Sequence, residues 1–145
     1  MFNETIKATG KLSIVQTDAN GNVVDTRNID NLVVTVGKGF IASRMKDATA
    51  AAMSHMAVGT DSTAAAAGQT ALGAQLTRVA LTSTTVSANT VTYVATFGSG
   101  TSGALTEAGL FNDPTAGTML ARTTYSVINK GTADTITITW AVTIS

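Results

Sequence analysis

The stretch 135–144 constrains the fold more than any other part of this chain. Ile136, Ile138, Trp140, Val142 and Ile144 alternate with Thr135, Thr137, Thr139, Ala141 and Thr143. A strict period of two sends successive side chains to opposite faces of an extended strand, so one face here is buried and the other is wetter. Trp140 is therefore expected in a core between two sheets. A strand buried on one face needs neighbours, and the remaining sequence supplies them.

Leu76 to Val86 and Thr90 to Gly98 are rich in Val, Thr and aromatics and are joined by Ser87-Ala88-Asn89, which reads as a hairpin. Val91, Tyr93, Ala95 and Phe97 share one face of the second strand. Thr5 to Thr17 and Asn22 to Thr35 flank Asp18-Ala19-Asn20-Gly21, whose Asn-Gly pair suits the positive φ angles of a tight turn. Leu105 to Phe111 and Thr118 to Ile128 flank a turn in which Pro114 presets the bend and Gly117 closes it. Met53 to Val58 is a further short strand. These segments predict an all-β domain of about eight strands, a jelly-roll-like or related β-sandwich, spanning 1–145 as one unit.

One helix interrupts the strands. Val36, Phe40, Ile41, Met45 and Ala48 fall at roughly helical spacing, which predicts a helix from Val36 to about Ala48 with Thr35 as N-cap. Gly37 and Gly39 each weaken it by about 1 kcal/mol relative to Ala. Residues 60–73, despite four consecutive alanines, have no apolar periodicity and read as a long loop. Val23 with Val24, Leu32 with Val33 and Val34, and Met119 with Leu120 place apolar groups on both faces of their strands. An isolated sandwich would expose half of them, so a dimer or trimer of the chain is expected.

Composition narrows the function. The 145 residues carry nine basic and nine acidic side chains, a formal charge of zero, and no cysteine. Phosphate-tracking surfaces need clustered Lys and Arg, so nucleic acid is not an expected partner. A zinc site built on thiolates is ruled out. No apolar run approaches the ~18 residues of a membrane span, and the N-terminus lacks the apolar core of a secretory signal. The expectation is a chain made in the cytoplasm, with no membrane partner and little charge repulsion between its copies.

Candidate chemistry is sparse. His55 is the single histidine, set in a strand-like run, and no base-nucleophile signature accompanies it. Asp18 to Asn22 has the oxygen-rich look of a calcium loop, yet its glycine falls fourth and the twelfth place is Ile29. Gly37-Lys38-Gly39-Phe40-Ile41-Ala42 matches a dinucleotide-binding G-x-G-x-x-A, with Asp61 at a suitable distance, but that motif works only inside a parallel βαβ sheet. Glu107 lies within an apolar run and is expected to pair with Arg78 or Arg122. No catalytic residue, cofactor, metal or small-molecule substrate is assigned.

A set of short motifs carries a resemblance. They are Asn31-Leu32-Val33, Gly37 and Gly39, His55-Met56-Ala57-Val58-Gly59-Thr60, Thr70, Leu72 and Arg78. Leu105-Thr106-Glu107-Ala108-Gly109-Leu110-Phe111, Leu120-Ala121-Arg122 and Ile138-Thr139-Trp140-Ala141-Val142 complete the set. Together they resemble a family of tailed-bacteriophage virion proteins, found as jelly-roll cement (decoration) proteins on capsids and as collar or fibre domains on tails. The resemblance implies a non-enzymatic structural role. A single short domain without fibre-like repeats favours cement, a capsid-surface protein whose partners are the major capsid protein and further copies of itself. Residues 1–17, with Phe2, Ile6, Leu12 and Ile14, are the segment expected to reach a neighbour.

Overall fold

The computed structural model describes residues 4–145 and is an all-β sandwich with one short helix. Its elements are β1 (Ala8–Thr17), β2 (Val23–Val33), α1 (Thr35–Lys46), β3 (His55–Gly59), β4 (Gln75–Ala80), β5 (Ser83–Ser87), β6 (Thr90–Phe97), β7 (Gly103–Phe111), β8 (Met119–Lys130) and β9 (Thr135–Ile144). The strands form one continuous antiparallel sheet in the order β4-β3-β7-β8-β2-β1-β9-β6-β5. Strand β2 is where it folds over. Most of β2 pairs with β1, while Leu32 and Val33 at its end pair with Arg122 and Ala121 of β8. The two halves face one another, with β5, β6, β9, β1 and β2 in one layer and β4, β3, β7 and β8 in the other.

Nine strands stand where about eight are expected, because Leu76 to Val86 is two strands in different layers. The corner between them is only Leu81-Thr82. The Leu81 amide donates to Ser54 O at 2.9 Å and the Thr82 amide to Val94 O at 2.7 Å, so the two residues are tied to opposite layers. Neither Gly nor Pro marks this corner, and strand-forming residues continue straight through it.

The core follows the predicted alternation in the first layer. Ile136, Ile138, Trp140 and Val142 turn inward with Leu12, Ile14, Ala95 and Phe97, against Met56, Val58, Leu105 and Leu110 of the second layer. Trp140 is fully buried. The second layer differs, because it is covered on both faces. Val34, Ala57, Leu72, Phe111 and Met119 form a separate cluster on its outer side, with Leu72 contributed by the irregular segment 60–74. Strands buried on both faces read as continuous apolar runs, which explains why β3 and the start of β8 do not alternate. Met119, Leu120, Val33 and Val34 are therefore all buried within the single chain, contrary to the expectation that such pairs would leave one member outside. Val23, Val24 and Leu32 do remain exposed.

Helix α1 ends at Lys46, two residues short of the expected boundary, and its N-cap is Val34, which makes no side-chain cap bond. Thr35 lies inside the helix and caps nothing. Its amide is satisfied from outside the helix, by the carbonyl of Ala67 at 2.8 Å. Gly37 is the buried residue of α1, and a Cβ there would lie 2.1 Å from the Leu120 carbonyl oxygen. The missing side chain is what lets the helix rest on the backbone of β8. The β1–β2 turn is closed by the Gly21 amide donating to Asp18 O at 3.0 Å. Gly21 alone in that turn takes a positive φ, of 81°, where the Asn-Gly pair suggested two such residues.

Candidate assembly surface

Glu107 and Arg122 are both 0% exposed, and their charges face each other on adjacent strands β7 and β8. Arg122 donates from Nε and Nη2 to Glu107 Oε1 at 3.1 and 3.0 Å. The same oxygen accepts the Gly73 amide at 2.8 Å, and Oε2 accepts the amides of Asp61 at 3.0 Å and Ala74 at 2.8 Å. Arg122 Nη1 donates to Thr63 O at 2.9 Å and Gln69 Oε1 at 3.0 Å. Every one of these outer partners belongs to segment 60–74. The pair is thus a clamp that fixes an irregular segment over the outer face of the second layer, where Leu72 then covers Phe111 and Met119. A carboxylate with both oxygens engaged by amides and a guanidinium is a structural acceptor.

Arg78, the other candidate partner of Glu107, holds a different loop. Its guanidinium carbon lies 3.6 Å from the Phe111 ring centroid, and Nη1 donates to the carbonyls of Asp113 at 3.0 Å and Ala116 at 2.9 Å. His55 is half-buried on β3, with Ser54 Oγ at 2.7 Å from Nδ1. A working Ser-His pair also needs a third group that orients the ring, and Ser54 is already the neighbour on the Nδ1 side. Asp18 Oδ1 holds its own turn, accepting the amides of Asn20 and Asn22 at 2.9 and 3.0 Å. Those amides hold its carboxyl below the usual range, the Asn22 amide most of all. Among the described residues no group of three His, Cys, Asp or Glu is placed to hold a metal ion. Gly37 and Gly39 open a helix that follows a strand of an antiparallel sheet, so the parallel crossover that would turn their motif into a pyrophosphate site is missing.

The surface with unspent apolar area is elsewhere, around α1. This helix buries a single residue, Gly37, while Phe40 and Ile41 are half-buried and Val36 and Met45 are 38% and 86% exposed. It rests on β8 and leaves open space between itself and the ends of β1, β6 and β9. On one side lies a cavity of about 330 Å³ whose apolar lining includes Phe40, Met53, Val86, Tyr93 and Val142. On the other side lies a groove of about 660 Å³ lined by Ile6, Lys7, Lys38, Met45 and others. Ile41 and Ile144 line both. The exposed apolar groups around them, Ile6 at 79% and Val86 at 69%, extend the patch.

This placement corrects the expectation for residues 1–17. Ile6 is exposed and lines the groove. Leu12 and Ile14 are each 1% exposed and sit in the chain's own core, because β1 is a central strand paired with both β2 and β9. They are not available to a neighbour. Phe2 lies outside the described residues. Sequence reading missed α1 as the main apolar surface. The signal was present in Val36, Phe40, Ile41 and Met45, which are too few and too interrupted by Gly and Lys to bury a full helical face.

No protein-family model matches this chain, and neither a curated protein nor a solved structure matches it.

Proposed function

We propose that this chain is a non-enzymatic structural protein of a tailed-bacteriophage virion, a cement (decoration) subunit that binds the major capsid protein and stabilises the head. The observation that carries the reading is the α1 surface, where a short helix leaves two neighbouring apolar hollows open and keeps Val36 and Met45 exposed. Open apolar surface of this kind is costly in a free monomer and is useful where a partner covers it. The motif residues that carry the resemblance to virion proteins add a second support. Leu72, Glu107 and Arg122 converge on the clamp and its covering loop, so they specify how the sandwich is built and leave its ends free to vary. Glu107, Arg122, Arg78 and Asp18 are each committed to holding loops, which suits a structural role.

The mechanism is mass action, since a subunit that binds only the intact shell stabilises that shell relative to the ruptured one. The test is to add purified chain to heads stripped of it, then to follow binding and the temperature at which DNA is released. Saturable binding at many symmetry-related sites with a raised rupture temperature is the expected result. Binding confined to tails would move the assignment to a collar or fibre protein, and binding to neither would refute both.

A further inference from the structure

The two ends of β1 carry opposite kinds of apolar surface. At its start, the hollows beside α1 are lined by Lys7, Lys38 and Arg44, and none of the lining residues is acidic. At its other end, the first residues of β2 after the turn, Val23 and Val24, are 61% and 55% exposed and lie in sequence between Asp18 and Asp25. Asp134 lies at the same end, bonded to the Gln16 amide at 3.1 Å. The cations there are already engaged, since Arg27 pairs with Asp25 at 3.0 Å and Lys130 is buried among backbone carbonyls. Asp18 is left without a cationic partner among the described residues. The ten residues of β1 separate the two ends by roughly 30 Å at ~3.4 Å per residue, too far for one copy to join its own ends.

We propose that the hollows beside α1 receive the β1–β2 turn and the start of β2 of a second copy of this chain, with Val24, which the register shift leaves without a partner in β1, entering the apolar floor and Asp18 facing the Lys7 and Lys38 side. This rests on the assembly reading of the α1 surface and names its occupant. The shapes allow it, because the end of a two-stranded hairpin is narrow and the hollows of about 330 and 660 Å³ are wide enough for a valine side chain. The charges favour it, because a basic apolar socket and an acidic apolar tip attract and fix one register, and the balance of nine acids and nine bases gives the copies no net repulsion. Socket and tip are different surfaces of the same chain, so every copy offers one of each. Such contacts close as a ring or as a reciprocal pair, in keeping with a trimer or dimer.

The experiment needs only the full chain, without phage particles. Sedimentation at micromolar concentration is expected to show an oligomer that weakens as ionic strength rises. Val24→Lys in the tip and Lys38→Glu in the socket should each weaken self-association by about tenfold or more while leaving the melting temperature of the dissociated chain, measured at high dilution, unchanged, because both positions are exposed in the single chain. Mixing the two variants should restore association, since each then supplies the surface that complements the other. A monomeric wild-type chain, or an oligomer indifferent to both substitutions, overturns the proposal. Heads bound by such a chain would leave the cement reading standing without it, and self-association without head binding would do the reverse.

Discussion

Arg122 donates twice to one oxygen of Glu107, at 3.0 and 3.1 Å, in a place where neither side chain reaches water. The second Glu107 oxygen is left for backbone amides, and it takes two of them from the loop that covers the strand. One ion pair therefore does what a run of apolar residues could not do in a segment as Ala- and Gly-rich as 60–74. It gives an irregular backbone fixed partners.

Removing either charge should be far more damaging than replacing both. Arg122→Met leaves the Glu107 carboxylate buried against amides alone, and a cost of about 3 to 5 kcal/mol is expected from stranding a buried charge. Denaturant unfolding measures it. Limited proteolysis should cut first within residues 60–74, whose anchor has gone. The double variant Glu107→Leu with Arg122→Met should recover part of the loss, and equal damage from single and double variants would show that the loop's own hydrogen bonds dominate.

Trp140 is fully buried, and its Nε1 has no hydrogen-bond partner among the described residues. Trp140→Ala should cost about 3 to 5 kcal/mol through lost burial and the cavity left behind. Trp140→Phe should cost much less, because it also removes a buried donor that bonds to nothing. As the chain's one tryptophan, it lets fluorescence report directly on the core. A native emission spectrum typical of solvent-exposed indole would refute the burial.

Gly37 and Gly39 should respond in opposite directions to the same change. A Cβ at Gly37 would meet the Leu120 carbonyl at 2.1 Å, so Gly37→Ala must push α1 away from β8 and destabilise the fold. Gly39 has nothing within 4 Å of that position, so Gly39→Ala should stabilise by about 1 kcal/mol through helix propensity alone. Thermal melts of the two variants distinguish them.

Stability should fall at alkaline pH, and Tyr125 should account for part of the fall. Burial pushes its phenol well above the ordinary value of 10.0, and the negative charge of Glu107 adds to this while Arg27 opposes it. A phenol whose pKa is raised by folding holds its proton more tightly in the folded chain. Its contribution is fully present below pH 10 and is lost as the pH rises above that, where the unfolded chain ionises first. Tyr125→Phe should flatten this alkaline slope in urea titrations. At neutral pH it should cost about 1 kcal/mol, the worth of the bond its hydroxyl donates to the Glu107 carbonyl at 3.0 Å.

The class of fold was legible wherever a strand has one wet face. The alternation of β9, the apolar face of β6 and the punctuated turns near Gly21 and Gly117 each encode local structure through side-chain period and backbone preference, which neighbouring residues alone can specify. Glu107 was also legible as a buried acid in need of a cation, because an apolar run cannot hold an unpaired carboxylate. An arginine such as Arg78 or Arg122 was the expected partner, and only the register of β7 against β8 selected Arg122. The corner at Leu81-Thr82 was invisible because no residue there breaks a strand.

What the sequence by itself determined is thus an antiparallel β-sandwich with a helix after its second strand and an inward-facing Trp140. Tertiary structure alone decided which strands lie side by side, and that choice made β1 central. Leu12 and Ile14 went into the core as a result, although a terminal strand at a sheet edge could have offered them to a neighbour. It also decided that segment 60–74 covers the second layer, which buries Met119 and Val34 and leaves α1 as the exposed apolar element. The physical reason is that alternation fixes which side chains share a face of a strand, whereas what that face packs against depends on contacts between residues far apart in the chain.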